Sequence, residues 1–328
     1  MLACINGTPR VFFLLKAFHE QLLLPGESHS ILITYLETKL VLMESMANGT
    51  KYECLLFDMD DTLYPLSSGI NLACRKNIQD YMLEHLNIEE SLVPRMCLDL
   101  YKEYGTTMAG LKALGYNFDD DEFHEYVHGR LPYEILKPDP VLKNLLQSMP
   151  QRKLIFTNAD KAHVERVLNR LGLEDCFHGV ICFETLNSPV RFKDDDDEKH
   201  SAISSLDGVD QKELDVVDSN LTVNKTTGFA KILCKPALEA IETTIRIAKI
   251  NPKKTIFFDD SARNIAAGKA AGLNTVIVGS SALVPGADHT LESIHNIKEA
   301  LPEIWEGEEE KDLMLTSTAV ELETVVQA

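Results

Sequence analysis

The stretch Cys54-Leu-Leu-Phe57-Asp58-Met59-Asp60-Asp61-Thr62-Leu-Tyr-Pro65 decides the fold. Its first four residues have the length and apolar character of a strand buried on both faces, and they run straight into an acidic turn. In extended chain, residues i and i+2 point the same way, so Asp58 and Asp60 can face one ligand while Met59 turns aside. Two carboxylates so placed repel each other unless a cation lies between them. Mg²⁺ suits that position, because it prefers hard oxygen ligands and is commonly held by one or two carboxylates. Asp61 is left out of the set, since its side chain should point away from Asp58.

Outward from this stretch, four more short apolar runs read as buried strands: Lys153-Leu-Ile-Phe156, Gly179-Val-Ile-Cys-Phe183, Thr255-Ile-Phe-Phe258 and Thr275-Val-Ile-Val278. Helical patterns separate most of them, at residues 162–171, 236–250 (with Pro236 at the first helical position) and 262–271, the last rich in small residues. Strands alternating with helices imply a parallel sheet covered on both faces. Residues 66–144 break the alternation: Ile78, Met82 and Leu86 recur every four residues, and no strand-like run interrupts them. The fold expected is α/β, a Rossmann-like doubly wound parallel sheet core with an inserted all-helical module. The boundaries expected are an N-terminal extension at 1–50, a core at 51–65 plus 145–305, and the helical insertion at 66–144. A polar, acidic insertion within the core at 188–230 is low in apolar periodicity and reads as a mobile loop or disordered segment, and the acidic tail at 306–328 reads as disordered.

Open parallel sheets bind ligands at the C-terminal ends of their strands, and that is where the remaining reactive residues fall. Thr157-Asn158 closes the second strand, Lys235-Pro236 opens a helix, and Asp259-Asp260-Ser261 closes the fourth strand. Each is weak alone. Thr-Asn after a strand is also an ordinary turn, and a lone Lys-Pro is more often a solvated loop. Ser261 reads best as a helix cap, with Asn264 one turn on to brace the site. Single histidines such as His124 and His163 read as solvated.

Asp58-x-Asp60-x-Thr62 after an apolar strand, followed in order by Thr157, Lys235 and Asp259-Asp260, resembles the signature of haloacid-dehalogenase-like hydrolases. The resemblance runs from about residue 51 to 305, and it makes the helical insertion a cap domain. It implies that Asp58 attacks phosphorus to form an aspartyl-phosphate and that Asp60 serves as general acid and base. Thr157 and the Asn158 amide would donate to phosphoryl oxygens, and Lys235 would offer its charge beside them. Asp58, Asp60, Asp260 and Asp259 would surround Mg²⁺, Asp260 directly and Asp259 directly or through water. The second Asp favours phosphate-ester hydrolysis or phosphomutase work over dehalogenation. Within the superfamily, the segments Phe57–Pro65, Tyr104-Gly-Thr-Thr-Met-Ala-Gly-Leu111, His128-Gly-Arg-Leu-Pro-Tyr133 and Phe258-Asp-Asp-Ser-Ala-Arg-Asn-Ile265 resemble the pyrimidine 5'-nucleotidase-like group of plants and fungi. That group implies nucleoside monophosphates such as UMP and CMP as substrates. Thr106, Thr107, His128, Arg130 and Tyr133 are the cap residues nearest Gly-rich breaks, and hence the substrate-contact candidates. A phosphatase or phosphomutase for sugar or cofactor phosphates, and a non-catalytic regulatory protein on the same scaffold, stand as alternatives.

Composition narrows the field further. Thirty-two basic against fifty-one acidic residues give a net charge of -19, which repels nucleic acid and anionic membranes alike. Residues 11–24 are apolar, but Lys16, His19 and Glu20 interrupt them, so they are too short and too charged to span a bilayer. The seven cysteines form no C-x-x-C pair and several sit in apolar runs, the pattern of reduced core residues. The partner expected is a small phosphate ester, and the location cytoplasmic, with organelle targeting by the N-terminal extension as the other reading.

Overall fold

The computed structural model describes residues 51–187 and 231–305. The expected extension 1–50, insertion 188–230 and tail 306–328 lie outside the described residues. Strand β1 (Cys54–Phe57) forms from the apolar run that announces it, and all four of its residues are buried. Five more strands join it: β2 (Arg152–Phe156), β3 (Gly179–Ile181), β4 (Thr255–Asp259), β5 (Asn274–Val278) and β6 (His289–Leu291). Their order is β3-β2-β1-β4-β5-β6, and every neighbouring pair is parallel. The chain steps outward from β1 through β2 to β3, then returns to the other side of β1 to lay down β4. The crevice above β1 and β4 is therefore the switch point at which doubly wound sheets receive ligands.

Three elements differ from expectation: the strand expected over Gly179–Phe183 ends at Ile181, and Phe183 opens a helix instead. The sequence reading stops at five strands, whereas β6 is a sixth; it is three residues long, His289 and Thr290 are only partly buried, and no apolar run marks it. The helix expected to start at Pro236 starts at Leu238, because Ala237 keeps an extended backbone (φ -60°, ψ 128°).

Alternation along the strands feeds two cores. Leu55, Phe57, Ile155, Ile256 and Phe258 face one side, where they meet Leu142 and Leu146 of α5 (Pro140–Ser148) and Val164 and Val167 of α6 (Lys161–Leu171). Leu56, Leu154, Phe156 and Phe257 face the other, against Ile241 of α8 (Leu238–Ala248) and Ile265 of α9 (Ala262–Ala270). The small residues of α9 let it sit close to the sheet: a Cβ on Gly268 would lie 2.7 Å from the Phe257 ring.

Between β1 and α5 the chain forms α1 (Ile70–Glu84), α2 (Val93–Tyr104), α3 (Thr107–Ala113) and α4 (Asp120–Gly129). These four helices share a third core built on Tyr81, Met82, Leu100, Leu111 and Phe123. Phe183, at the start of α7 (Phe183–Asn187) beyond β3, packs into that same cluster and ties the helices to the sheet edge. The short helix α10 (Ile297–Ala300) closes the first core through the fully buried Ile297.

Candidate active site

Parallel registration brings the tips of β1, β2 and β4 level. Phe57 pairs with Ile155 on one side and Phe258 on the other, and the Asp58 amide donates to the Phe258 carbonyl at 2.8 Å. The next residue of each strand therefore emerges at one edge: Asp58 after β1, Thr157 after β2, and Asp259 with Asp260 at the end of β4.

Lys235 reaches this edge from the segment before α8. Its side chain is 2% exposed. The ammonium donates to Asp58 Oδ1 at 2.7 Å, to Asp259 Oδ2 at 2.8 Å and to the Phe156 carbonyl at 2.8 Å, so all three of its protons are used. Two features far away in sequence hold the Lys235 backbone. The Asn158 side chain pairs with it twice, accepting from its N–H at 2.8 Å and donating to its carbonyl at 3.0 Å. Gly105, in the turn between α2 and α3, lies so close that a Cβ there would sit 2.4 Å from the Lys235 carbonyl oxygen.

The carboxylates are crowded. Oxygens of Asp58, Asp259 and Asp260 all lie within 4.8 Å of one another. Asp259 is fully buried and braced by the Asn264 amide, at 2.9 and 3.1 Å to its two oxygens, and by the Ser261 N–H at 2.9 Å. Ser261 stands at the cap position of α9 without a side-chain capping bond. Burial, together with the charges of Asp259 and Asp60, pushes the Asp58 carboxyl up to about 7 against the pull of Lys235. Desolvation and the charges of Asp58 and Asp259 push Asp260 up to about 8. Burial alone would lower the Lys235 ammonium, but Asp259 and Asp58 outweigh it and hold it above the ordinary lysine value. One lysine is too little positive charge for three neighbouring carboxylates. A hard divalent cation fits the donor set and the deficit.

Asp60 stands apart from that trio. Its Oδ1 accepts from the Tyr64 hydroxyl at 2.5 Å and from His163 Nε2 at 2.8 Å. Burial would raise its carboxyl, but the His163 charge and these two hydrogen bonds outweigh burial and bring it down to about 2. His163 Nδ1 meets the Tyr133 hydroxyl at 2.7 Å, and that hydroxyl also donates to the His128 carbonyl at 3.0 Å. A tyrosine has one proton, so when it is given to the carbonyl the His163 Nδ1–H must be the donor. A doubly protonated His163 then satisfies both Tyr133 and Asp60. The carboxylate accordingly raises the His163 imidazole, against the lowering effect of its burial. The expectation that His124 and His163 are solvated is thereby corrected: they are 7% and 2% exposed, buried by α6, α4 and Phe183, segments that no local pattern connects.

Thr157 is buried, and its Oγ1 accepts from the Ala159 N–H at 3.1 Å. Among the cap residues, Thr106 caps α3 by accepting from the Ala109 N–H at 3.1 Å, and the buried Thr107 hydroxyl donates to the Cys97 carbonyl at 3.1 Å. Arg130 is exposed, its guanidinium 4.3 Å from the centre of the Tyr126 ring. His128 Nδ1 bonds Asp160 Oδ1. Asp61 is buried and accepts from the Asn71 amide at 2.7 Å. Tyr64, Asn158 (through its side chain), Gly105 and His163 are thus part of the site by contact, a role that the residue types alone did not assign to them.

Known proteins place the chain. It is 30% identical over 132 residues to phosphate metabolism protein 8 of Saccharomyces cerevisiae, a match covering 38% of this chain and 41% of that protein. The chain thus spans less than half the length of this curated relative. Solved structures similar to it include a HAD phosphatase from Thermococcus onnurineus (17% identity, TM-score 0.43, covering 75% of this chain and 96% of that one). Another is CbbY from Rhodobacter sphaeroides in complex with phosphate (14% identity, TM-score 0.45, covering 75% and 96%). The family model for haloacid dehalogenase-like hydrolases matches residues 52–222, more than half of the sequence and inclusive of β1 and its acidic turn. The chain belongs to the haloacid dehalogenase-like hydrolase family.

Proposed function

We propose that this hydrolase is a Mg²⁺-dependent phosphatase that removes phosphate from nucleoside 5'-monophosphates such as UMP and CMP through an aspartyl-phosphate on Asp58. The observation that carries the reading is the Lys235 ammonium, held 2.7 Å from Asp58 and 2.8 Å from Asp259 at the edge where three strands end. A nucleophilic carboxylate needs a partner that favours its ionised form and aims it, and Lys235 does both, pulling against the burial that favours the proton. Asp58, Asp259 and Asp260 would hold the magnesium, which when bound neutralises phosphoryl oxygens and the surplus acidic charge.

In the first step an Asp58 oxygen forms a bond to phosphorus as the bond from phosphorus to the ester oxygen breaks. The leaving oxygen takes the electron pair of that bond and a proton from the Asp60–His163 pair. The pair stores one proton, drawn towards the imidazole across the 2.8 Å bond between His163 Nε2 and Asp60 Oδ1, and the Asp60 carboxyl would hand it on. In the second step water attacks the same phosphorus, gives its proton to Asp60, and releases inorganic phosphate with Asp58 restored. Lys235, together with Thr157 and the Asn158 amide, would stabilise charge on the transferring group.

The choice of a nucleoside monophosphate rests on the resemblance of residues 57–65, 104–111, 128–133 and 258–265 to the pyrimidine 5'-nucleotidase-like group. The name of the yeast relative agrees with phosphate chemistry in general. Among the described residues no helix is long and apolar enough to cross a membrane. Five of the six cysteines in them are buried, which supports a reducing, cytoplasmic setting.

Phosphate release from a panel of esters, with and without Mg²⁺, tests this. UMP and CMP should be turned over only with the metal, and Asp58→Asn should lose more than about 10³-fold in kcat while keeping its melting temperature. Comparable activity in the variant would refute the nucleophile. Turnover of sugar phosphates without UMP would refute the nucleotidase reading, and no turnover of any ester would leave a binding protein on a phosphatase scaffold.

A further inference from the structure

His124 and His128 are four residues apart on α4, one helical turn, so both imidazoles project from the same face. Their ring centres are 5.4 Å apart. Facing them is Asp160, the cap of α6, whose Oδ2 accepts from the His163 N–H at 3.3 Å. Its Oδ1 bonds His128 Nδ1 and lies 3.7 Å from His124 Nδ1, too far for a hydrogen bond. Neither ring nitrogen of His124 has a hydrogen-bond partner, although the residue is 7% exposed. A buried imidazole with nothing on either nitrogen has given up its water without a replacement for either group. Native interiors keep few such groups, and each calls for a missing ligand.

The ligand atoms of the three residues lie within 4.8 Å of one another. Two nitrogens and one carboxylate oxygen around a single point make a donor set for a borderline transition metal rather than for magnesium. On a tetrahedral zinc ion with bonds of about 2.0–2.1 Å, neighbouring ligand atoms are separated by roughly 3.3 Å. The 3.7 Å between His124 and Asp160 needs only a small closure, while the direct His128–Asp160 hydrogen bond must open by more than that to admit an ion between its two atoms.

We propose that His124, His128 and Asp160 form a second metal site, selective for Zn²⁺ or a similar divalent transition ion and separate from the aspartate trio. The site joins α4 to the first turn of α6, the same turn that carries His163 to Asp60. A metal there clasps the helical insertion to the sheet edge and fixes the position of His163. The site is defined by the side chains of α4 and of the α6 cap alone, whatever the substrate.

The test uses full-length protein in millimolar Mg²⁺, which occupies the aspartate trio, and titrates Zn²⁺ against a chromophoric chelator. Wild type should take up one equivalent that His124→Gln binds about 100-fold or more weakly, the two proteins having the same circular dichroism spectrum and melting point. Co²⁺ substituted for Zn²⁺ should give visible absorption bands in wild type that the variant lacks. Equal Zn²⁺ affinity in the two proteins overturns the proposal. Should His124→Gln fail to fold, anomalous scattering at the zinc edge from wild-type crystals decides: a peak between His124, His128 and Asp160 supports the site, and its absence there overturns it.

Discussion

Replacing Lys235 by Met removes the ammonium that bonds both Asp58 and Asp259 while keeping most of its apolar stem. With an effective dielectric constant of about 20, a pair of charges at 2.7–2.8 Å interacts by about 6 kcal/mol, so the two contacts to Asp58 and Asp259 are large in gross terms. Desolvation of the ions takes back several kcal/mol for each one, and measured losses from deleting one partner of a buried pair are about 3–5 kcal/mol. Against a total stability of roughly 5–15 kcal/mol the variant should still fold. Its urea midpoint at pH 8 in EDTA should fall by more than about 1 M. Trp305, the only tryptophan, packs against the first core and reports unfolding by fluorescence. The deficit should depend on pH in one direction. The Asp58 and Asp260 carboxyls, raised to about 7 and about 8, keep protons in the folded state that the unfolded chain has released. Stability from these groups therefore rises as pH falls from about 8 towards the ordinary carboxylate value of about 4. Lys235→Met raises them further, so its deficit should shrink by pH 5.5, and also at pH 8 when Mg²⁺ is added. A midpoint within about 0.3 M of wild type at pH 8 in EDTA would refute the placement of Lys235 as the charge that holds the carboxylates together.

Other parts of the site make separate demands. His163→Ala should lower kcat about 100-fold with KM changed less than about twofold, and His163→Gln, which can still donate to Asp60, should recover part of the loss in steady-state assays. Equal losses in the two variants would show that the hydrogen bond to Asp60 is not what matters. Gly105→Ala should cost about 2–4 kcal/mol by urea denaturation, since its φ is +91° and the new Cβ would meet the Lys235 carbonyl at 2.4 Å; a neutral outcome would mean that this turn does not press on Lys235. Lys153 is buried, its ammonium donating to the Met149 and Gln151 carbonyls, and burial lowers it to about 8. The unfolded chain binds the proton that the folded one has lost between pH 8 and the ordinary lysine value. Wild-type stability should thus climb across that window by up to about 1.4 kcal/mol per pH unit, and the climb should be absent in Lys153→Met.

Much of the fold was legible because its signals are local. The runs at 54–57, 153–156, 255–258 and 275–278 are short, apolar and rich in branched or aromatic residues, so burial on both faces is written into each one. Strand β6 was not, since three residues of which only Leu291 is apolar look like any loop until β5 lies beside them. The acidic residues at the tips of β1 and β4 were also readable, because a strand delivers the residue that follows it to a known edge. Where Lys235 goes was suggested only by its order among the motifs; its contacts with Asn158 and Gly105 join positions 77 and 130 residues away.

The histidines mark the limit. Nothing near His163 in the chain says that it will be buried, because the groups that bury it come from Tyr133, His128 and Asp60, and each has its own local pattern. The same holds for His124, whose solvent is excluded by Phe183 from beyond β3. Sequence alone determined most of the elements, the family signature and the edge where reactive residues collect, since these follow from periodicity and from chain direction. Tertiary structure alone decided which charges touch. Electrostatic coupling depends on distance and on exclusion of water, and both arise only when segments remote in the chain are packed together.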